Sequence, residues 1–263
     1  MQLALALLAG LFLVGGREVR AFENAAAREI ASTLQGAEKR VEVRSVVGPE
    51  ALFGDVHAVT IKASHFETEG LPLFTEPERS TRGVLRTLNL ELTDFTLRGL
   101  HVQSLKASIP DCRFDLPLAL RHRKIRLSRS GAGPGEVLVT EKDLEQFIPI
   151  KLREIKSVRV RLDRDKVFVD GYGEFVVFAA NFSVIARLEP RNGNQLVLSH
   201  ARIFIEGAPA DAASAKVLMD TLNPVIDLDK DLLLYGAISV DRLKIGNGEL
   251  RANGLTKIPA KPS

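Results

Sequence analysis

The sequence predicts an α+β fold, mostly antiparallel β, in which an elongated, long curved sheet wraps around amphipathic helices. Three observations carry that expectation. Through most of the chain apolar residues recur at every second position, the mark of strands with one buried face. One such row is very long: in Glu174 to Glu189, EFVVFAANFSVIARLE, it takes in Val176, Phe178, Ala180, Phe182, Val184, Ala186 and Leu188. Read as a single strand of roughly 15 residues at about 3.3 Å each, it would reach about 50 Å, far beyond an ordinary strand. Finally, segments of helical period, Phe22 to Arg40 and Ala210 to Leu222, are available to fill the concave side of such a sheet.

The elements follow in order. Leu3 to Gly16, LALALLAGLFLVGG, is a continuous apolar run of about 14 residues, short of the roughly 20 that span a bilayer. It reads as a secretory signal over residues 1–21, with Ala21 ahead of a cleavage point and Val19 two before it, or as an uncleaved anchor. Both readings place residues 22–263, taken as one domain, outside the cytoplasm, in the periplasm or cell envelope. Phe22, Ala26, Ile30, Leu34 and Ala37 then lie at helical spacing.

From Val41 the period becomes two. Val43, and after Gly54 the residues Val59, Ile61 and Ala63, continue it; Leu71 to Ser80, with two prolines, reads as a loop. Leu88, Leu90 and Leu92 alternate with polar residues, and beyond Asp94 the row shifts parity to Phe95 and Leu97, which predicts a β-bulge that bends the strand. Strands follow near Leu100 to Ile109, Lys124 to Arg129, Ser157 to Asp163 and Lys166 to Asp170, the last two as a hairpin. Arg191-Asn192-Gly193-Asn194 predicts a tight turn into Gln195 to Glu206, since Asn-Gly suits the positive φ of hairpin turns. Thr140 and Asp143 are spaced as a capping box before a short helix carrying Leu144, Phe147 and Ile148. The second helix stops before Pro224, and strands near Ala237 to Ile245 and Glu249 to Ala252 close the pattern.

Composition narrows function. With 263 residues, 45% hydrophobic, the chain has ample material for a core. Its single cysteine, Cys112, forms no intramolecular disulfide and reads as a small buried hydrophobe. There is no Trp and only two Tyr, so stacking on nucleobases is poorly provided for and nucleic acid is not an expected partner. The histidines, His57, His65, His101, His122 and His200, form no metal-spaced pair, and no Gly-x-Ser-x-Gly elbow is present. Gly131 to Gly135 lacks the Lys-Ser or Lys-Thr of a phosphate loop and reads as a flexible turn. Asp227, Asp229 and Asp231 alternate as in calcium loops but lack the glycine and distal glutamate, so a solvated turn is expected. No metal, no cofactor and no catalysis is expected.

The charges are more informative. Arg121 to Lys166 holds 13 basic residues against 7 acidic ones, within a chain of net charge +3. The densest part, RHRKIRLSR, contains Arg121, Arg123, Lys124 and Arg126. It reads either as a patch for anionic headgroups or as a charged solvated face.

The order of motifs has a counterpart in a known family. Gly54-Asp55-Val56 leads to Val59 and Ile61; Val139-Thr140-Glu141-Lys142-Asp143-Leu144 enters a short helix; Leu196-Val197-Leu198 follows the long row; a helix ends at Asn223-Pro224; Gly-x-Leu-x-Ala-x-Gly closes the pattern at Gly248 to Gly254. Over residues 22–255 this resembles the LmeA-like family of exported phospholipid-binding proteins. The resemblance implies a domain similar to the tubular lipid-binding folds, a phospholipid held in an apolar groove, peripheral contact with a membrane surface and no catalytic residues. On this reading a monomer holds acyl chains against Val176, Phe178, Phe182, Val184 and Leu188, helped by Leu88, Leu90 and Leu92. Arg121, Arg123, Lys124 and Arg126 meet the headgroup. The alternative is a non-catalytic structural or interaction protein of the envelope, with the same rows packed as a dry core.

Overall fold

The computed structural model describes residues 2–48, 50–51, 54–70, 82–122, 124, 126–175 and 179–259. Their elements are α1 (Gln2–Thr33), β1 (Arg40–Val46), β2 (Asp55–Thr68), β3 (Gly83–Leu97), β4 (Leu100–Phe114), α2 (Leu116–His122), β5 (Leu127–Arg129), β6 (Gly133–Thr140), α3 (Glu141–Lys151), β7 (Ile155–Asp163), β8 (Lys166–Glu174), β9 (Ala179–Arg191), β10 (Gln195–Ile205), β11 (Ala208–Pro209), α4 (Ala212–Leu222), β12 (Ile226–Asp227), β13 (Ile238–Gly246) and β14 (Glu249–Thr256). The strands form an eight-stranded sheet, β1-β2-β3-β4-β6-β14-β13 with β5 on β4, and a six-stranded sheet, β11-β10-β9-β8-β7 with β12 on β10. Pairing is antiparallel apart from β2 with β3.

The α+β, mostly antiparallel character matches the expectation, but the elongated curved sheet wrapped around helices does not. There are two sheets, both open, and neither curls into a tubular wrap. The cause is visible in the long apolar row. β8 ends at Glu174 and β9 starts at Ala179, and these two residues are opposite one another in antiparallel register, so Glu174 to Glu189 is not one strand, and the described part of the row, Ala180 to Leu188, lies on β9 alone. Val176 and Phe178 lie outside the described residues. Helices sit between and beside the sheets rather than inside one: α3 packs on β4 and β6 of the first sheet and on β7 of the second, and α1 packs on β1.

Local chemistry explains most elements. The three-residue turn between Arg191 and Gln195 has positive φ at Asn192 (55°) and Gly193 (73°), a conformation that Asn and Gly tolerate. Two-residue turns with positive φ at both positions, as type I′ requires, occur at Arg98-Gly99, Arg164-Asp165 and Asn247-Gly248. Asp94 takes φ of 50°, and the buried row indeed passes from Leu88, Leu90 and Leu92 to Phe95 and Leu97. His65 on β2 takes φ of 57° beside it, so both strands change parity together and Phe66 stacks on Phe95 with centroids 5.0 Å apart. On the other face of the first sheet, Glu42, Lys62, Glu91, Lys106 and Glu136 stand opposite one another across five strands. Alternating charge of this kind fixes register, because a slip sets like charges together.

Three further differences have physical reasons. The N-terminal helix ends at Thr33 rather than Arg40, because Gln35 exchanges backbone bonds with Glu67 and Gly36 takes φ of 120°. Gly133 and Gly135 are not in a flexible turn but in β6, between β4 and β14; a side chain at Gly133 would collide with the Ser108 carbonyl, so glycine permits close backbone approach. Lys124 to Arg129 yields only the short β5, preceded by α2, whose Leu118 N–H donates to Asp115. The expected loop Leu71 to Ser80 lies outside the described residues.

One buried cluster joins the sheets. It includes Leu88, Leu90, Leu92 and Ile109 of the first sheet, Val160, Val169, Val184 and Leu188 of the second, and Leu144, Phe147 and Ile148 of α3. The tip of the β9–β10 hairpin docks on the first sheet, where the Val240 N–H donates to the Gly193 carbonyl at 2.7 Å. Buried Glu23 ties α1 to β1 by accepting from the Ser45 N–H and hydroxyl at 2.7 and 2.8 Å.

Candidate apolar binding site

The site is organised by α3. Thr140 caps its N-terminus, accepting from the Asp143 N–H, while Asp143 accepts from the Thr140 N–H at 2.7 Å. This is the capping box expected from the sequence. Asp143 does more than cap, for it is buried and also receives His101 Nδ1 at 2.7 Å and Gln103 Nε2 at 3.2 Å. Burial pushes its pKa up, but the bonds from Thr140, His101 and Gln103 outweigh burial and hold the carboxyl below its usual range. The other ring nitrogen of His101 lies 2.8 Å from Asp94, whose second oxygen is 3.1 Å from His65 Nε2. Burial lowers the His101 pKa, and the two carboxylates more than reverse this, leaving it raised.

The body of α3 covers the open edge of the second sheet. Glu145 accepts from the Val160 N–H at 2.8 Å and Glu141 from the Leu162 N–H at 2.6 Å. Four residues apart, the two glutamates share one helix face and reach alternate residues of β7, satisfying donors that an edge strand would otherwise leave bare. At its C-terminal end Lys151 donates to the carbonyls of Pro224 (2.6 Å) and Val225 (3.1 Å) and pairs with Asp231 at 2.6 Å. The aspartates beyond are no solvated turn: Asp227 is buried and accepts from the Asp229 and Lys230 N–H groups and from Gln195. Asp227 thus ties the chain to β10, Asp231 ties it to α3, and Asp229 holds Asn194 of the β9–β10 turn and the Gly236 N–H.

Beneath α3 lies an apolar seam. Leu144, Ile148 and Leu152 form one wall, Leu222 and Val225 another, and Val160, Val167, Val169, Leu188 and Leu198 of the second sheet form the floor. Its enclosed volume is about 20 Å³, room for about one water molecule and for no part of an acyl chain beyond a single methylene-sized gap. The seam is therefore closed as it stands.

The residues expected at the site fall in different places. Leu188 lines the seam, and Phe182 and Val184 continue the same buried face of β9. Leu88, Leu90 and Leu92 are on β3 in the first sheet, each at most 1% exposed. Of the basic residues, Arg121 and Lys124 are exposed, Arg123 lies outside the described residues, and Arg126 is ion-paired with Glu29 of α1. That basic segment runs from the end of α2 to β5, beside the first sheet and α1, whereas the seam is built from α3, the second sheet and the chain around α4. Cys112 is fully buried, its thiol pushed up to about 12 by burial, as suits a small hydrophobe. Sequence reading missed His101, Asp94, Glu141, Glu145 and Lys151 as parts of the site, although the capping box had marked the helix that gathers them.

Among the described residues, no three His, Cys, Asp or Glu side chains are placed to share a metal ion, and no helix is long and apolar enough to cross a membrane. What the site offers is aliphatic surface closed by a tethered helix, the chemistry of a binding domain. The chain belongs to the LmeA-like phospholipid-binding family, which it matches over residues 18–254. The family is one of binding domains, not of catalysts, and gives the chain a lipid-binding role. No curated protein and no solved structure matches the chain significantly.

Proposed function

We propose that the chain works outside the cytoplasm, in the periplasm or cell envelope, holding phospholipid acyl chains against the inner face of the second sheet and carrying lipid in envelope maintenance. The observation that supports this most directly is the seam, lined entirely by aliphatic side chains between a sheet and two helices. α4 is its movable wall, for Leu218 and Leu222 are the only buried residues of that helix. Lifting α4 exposes Leu218 and Leu222, at about 1.5–3 kcal/mol each, together with the partly buried Val217 and Met219, and acyl chains filling the opened seam would re-cover that apolar surface. Leu188 starts the contact, Phe182 and Val184 extend it along β9, and Leu88, Leu90 and Leu92 back it within the common core.

A second reading, a non-catalytic envelope protein with a dry core, draws on the small volume of the seam. One experiment separates the two. The chain is purified without detergent, extracted with organic solvent and measured for lipid by mass spectrometry. Near-stoichiometric phospholipid is expected; a folded chain that carries no lipid and takes none from vesicles is a dry-core protein.

A further inference from the structure

The outer face of the second sheet carries a second pattern, on the side of the strands away from the seam. Arg161, Phe168, Ile185 and Arg202 stand opposite one another in one row across β7, β8, β9 and β10. In the adjoining row are Arg159, Asp170, Ser183 and Phe204, and on the other side Asp163 faces Lys166 and Arg187 faces Ser199. Phe168, Ile185 and Phe204 are partly exposed and lie outside the buried cluster, whereas Val160, Val169 and Val184 on the opposite face are inside it.

Five cations thus surround an apolar strip that also holds two carboxylates. Asp170 is occupied by the Ser183 hydroxyl at 2.6 Å, and Asp163 pairs with Arg164. Among the described residues Arg159, Arg187, Arg202 and Lys166 make no ion pair, and Arg161 lies over the Phe168 ring at 4.3 Å. Arginine stems cover apolar surface while their heads stay free to bind phosphate in a fork.

We propose that this face docks on the surface of an anionic phospholipid bilayer, Phe168, Ile185 and Phe204 entering the headgroup layer and Arg159, Arg161, Arg187, Arg202 and Lys166 meeting lipid phosphates. The proposal rests on the lipid-binding reading and adds the surface through which the chain reaches its lipid. A net positive, partly apolar sheet face is complementary to such a membrane in both charge and hydropathy. The two faces of the same strands then divide the work, the inner lining the seam and the outer meeting the membrane.

The test uses the full chain and two kinds of vesicle, phosphatidylcholine alone and phosphatidylcholine with phosphatidylglycerol. Neutral vesicles report whatever the apolar N-terminal segment contributes. Each basic residue near an anionic surface is worth about a fivefold change in partition, so R161Q/R187Q/R202Q is expected to lose about 100-fold on anionic vesicles and little on neutral ones. A control of equal charge on the first sheet and beyond, R242Q/K244Q/K257Q, is expected to lose far less. Since the chain has no Trp, Ile185→Trp gives a clean probe whose emission should shift to the blue on anionic vesicles. Equal losses in the two triple variants, or an unshifted emission, overturn the proposal. A chain that copurifies with lipid yet shows no loss in R161Q/R187Q/R202Q overturns this face alone; a chain that holds no lipid overturns the reading beneath it.

Discussion

His101 Nδ1 lies 2.7 Å from Asp143, and its Nε2 lies 2.8 Å from Asp94, so one imidazole ties the cap of α3 to the first sheet. A neutral imidazole has a single N–H and can donate to only one of the two carboxylates; the protonated ring donates to both. The groups around it are Asp94, Asp143, Gln103 and, through Asp94, His65. Because the folded pKa of His101 is raised above 6.5, its contribution is full below that value and fades as pH rises through the folded pKa. Asp143 acts oppositely: with its pKa lowered from 3.8, its contribution is present above that value and lost as pH falls. Urea unfolding should therefore show greater stability at pH 5.5 than at pH 8.5, and His101→Gln should flatten that difference. An unchanged slope in the variant would show that the imidazole does not carry it.

Asp143 itself should be costly to remove. Asp143→Ala takes away the capping partner and leaves His101 and Gln103 facing an empty site, for a loss of about 2–3 kcal/mol in urea unfolding. Asp143→Asn keeps the shape but turns an acceptor for His101 into an amide, and should fall between the two.

Glu141 and Glu145 guard the β7 edge. Replacing either by Ala leaves a backbone N–H without its acceptor, at about 1–3 kcal/mol each. The double variant has a second expected effect, self-association through the bared strand, visible as a concentration-dependent rise in light scattering. Loss of stability without association would mean that water or a neighbouring side chain replaces the glutamates.

Much of this was legible in the sequence because it depends on neighbours along the chain. The capping box at Thr140, the Asn192-Gly193 turn, the parity shift at Asp94 and the helix stop before Pro224 are each decided within about four residues. Pairing between distant strands is not, and there the reading failed. A period of two shows which residues share a face but not which strand lies alongside, so the rows of β3 and β9 were assigned to one sheet when they belong to two. The Gly131 to Gly135 stretch shows the same limit, since Gly133 serves contact with Ser108, some 25 positions away, and Gly135 with Thr256 of β14. The basic residues were legible as charge but not as place: Arg126 is held by Glu29 of α1, while Arg161 of β7 and Arg202 of β10 stand at the two ends of one row, with Phe168 and Ile185 between them.

Lys151 fastens the chain after α4 to the end of α3, with its side chain 14% exposed and that of Asp231 19% exposed. Lys151→Met keeps most of the stem but leaves two carbonyls without their donor and Asp231 with the Asp227 N–H and no cation, at about 3 kcal/mol. If α4 is the wall that lifts, hydrogen exchange in residues 212–225 should quicken in this variant ahead of the rest of the chain, and lipid uptake from vesicles should quicken with it. Uniformly faster exchange would mean that Lys151 stabilises the whole fold rather than the closure of the seam.

Leu92 and Leu188 make the sharpest pair, since both are buried leucines and only one lines the seam. Leu92→Ala and Leu188→Ala should each cost about 2–5 kcal/mol, the loss depending on how far the neighbours collapse. Stability alone cannot tell them apart, so the informative quantity is lipid bound per folded chain. Leu188→Ala widens the floor of the seam beside Leu198 and Leu222 and should change lipid occupancy or chain-length preference, whereas Leu92→Ala, deep in the first sheet, should leave both as they were. Equal effects on occupancy would mean that lipid spans the whole core, as the sequence-based expectation of one continuous groove required, and no effect from either would favour the dry core.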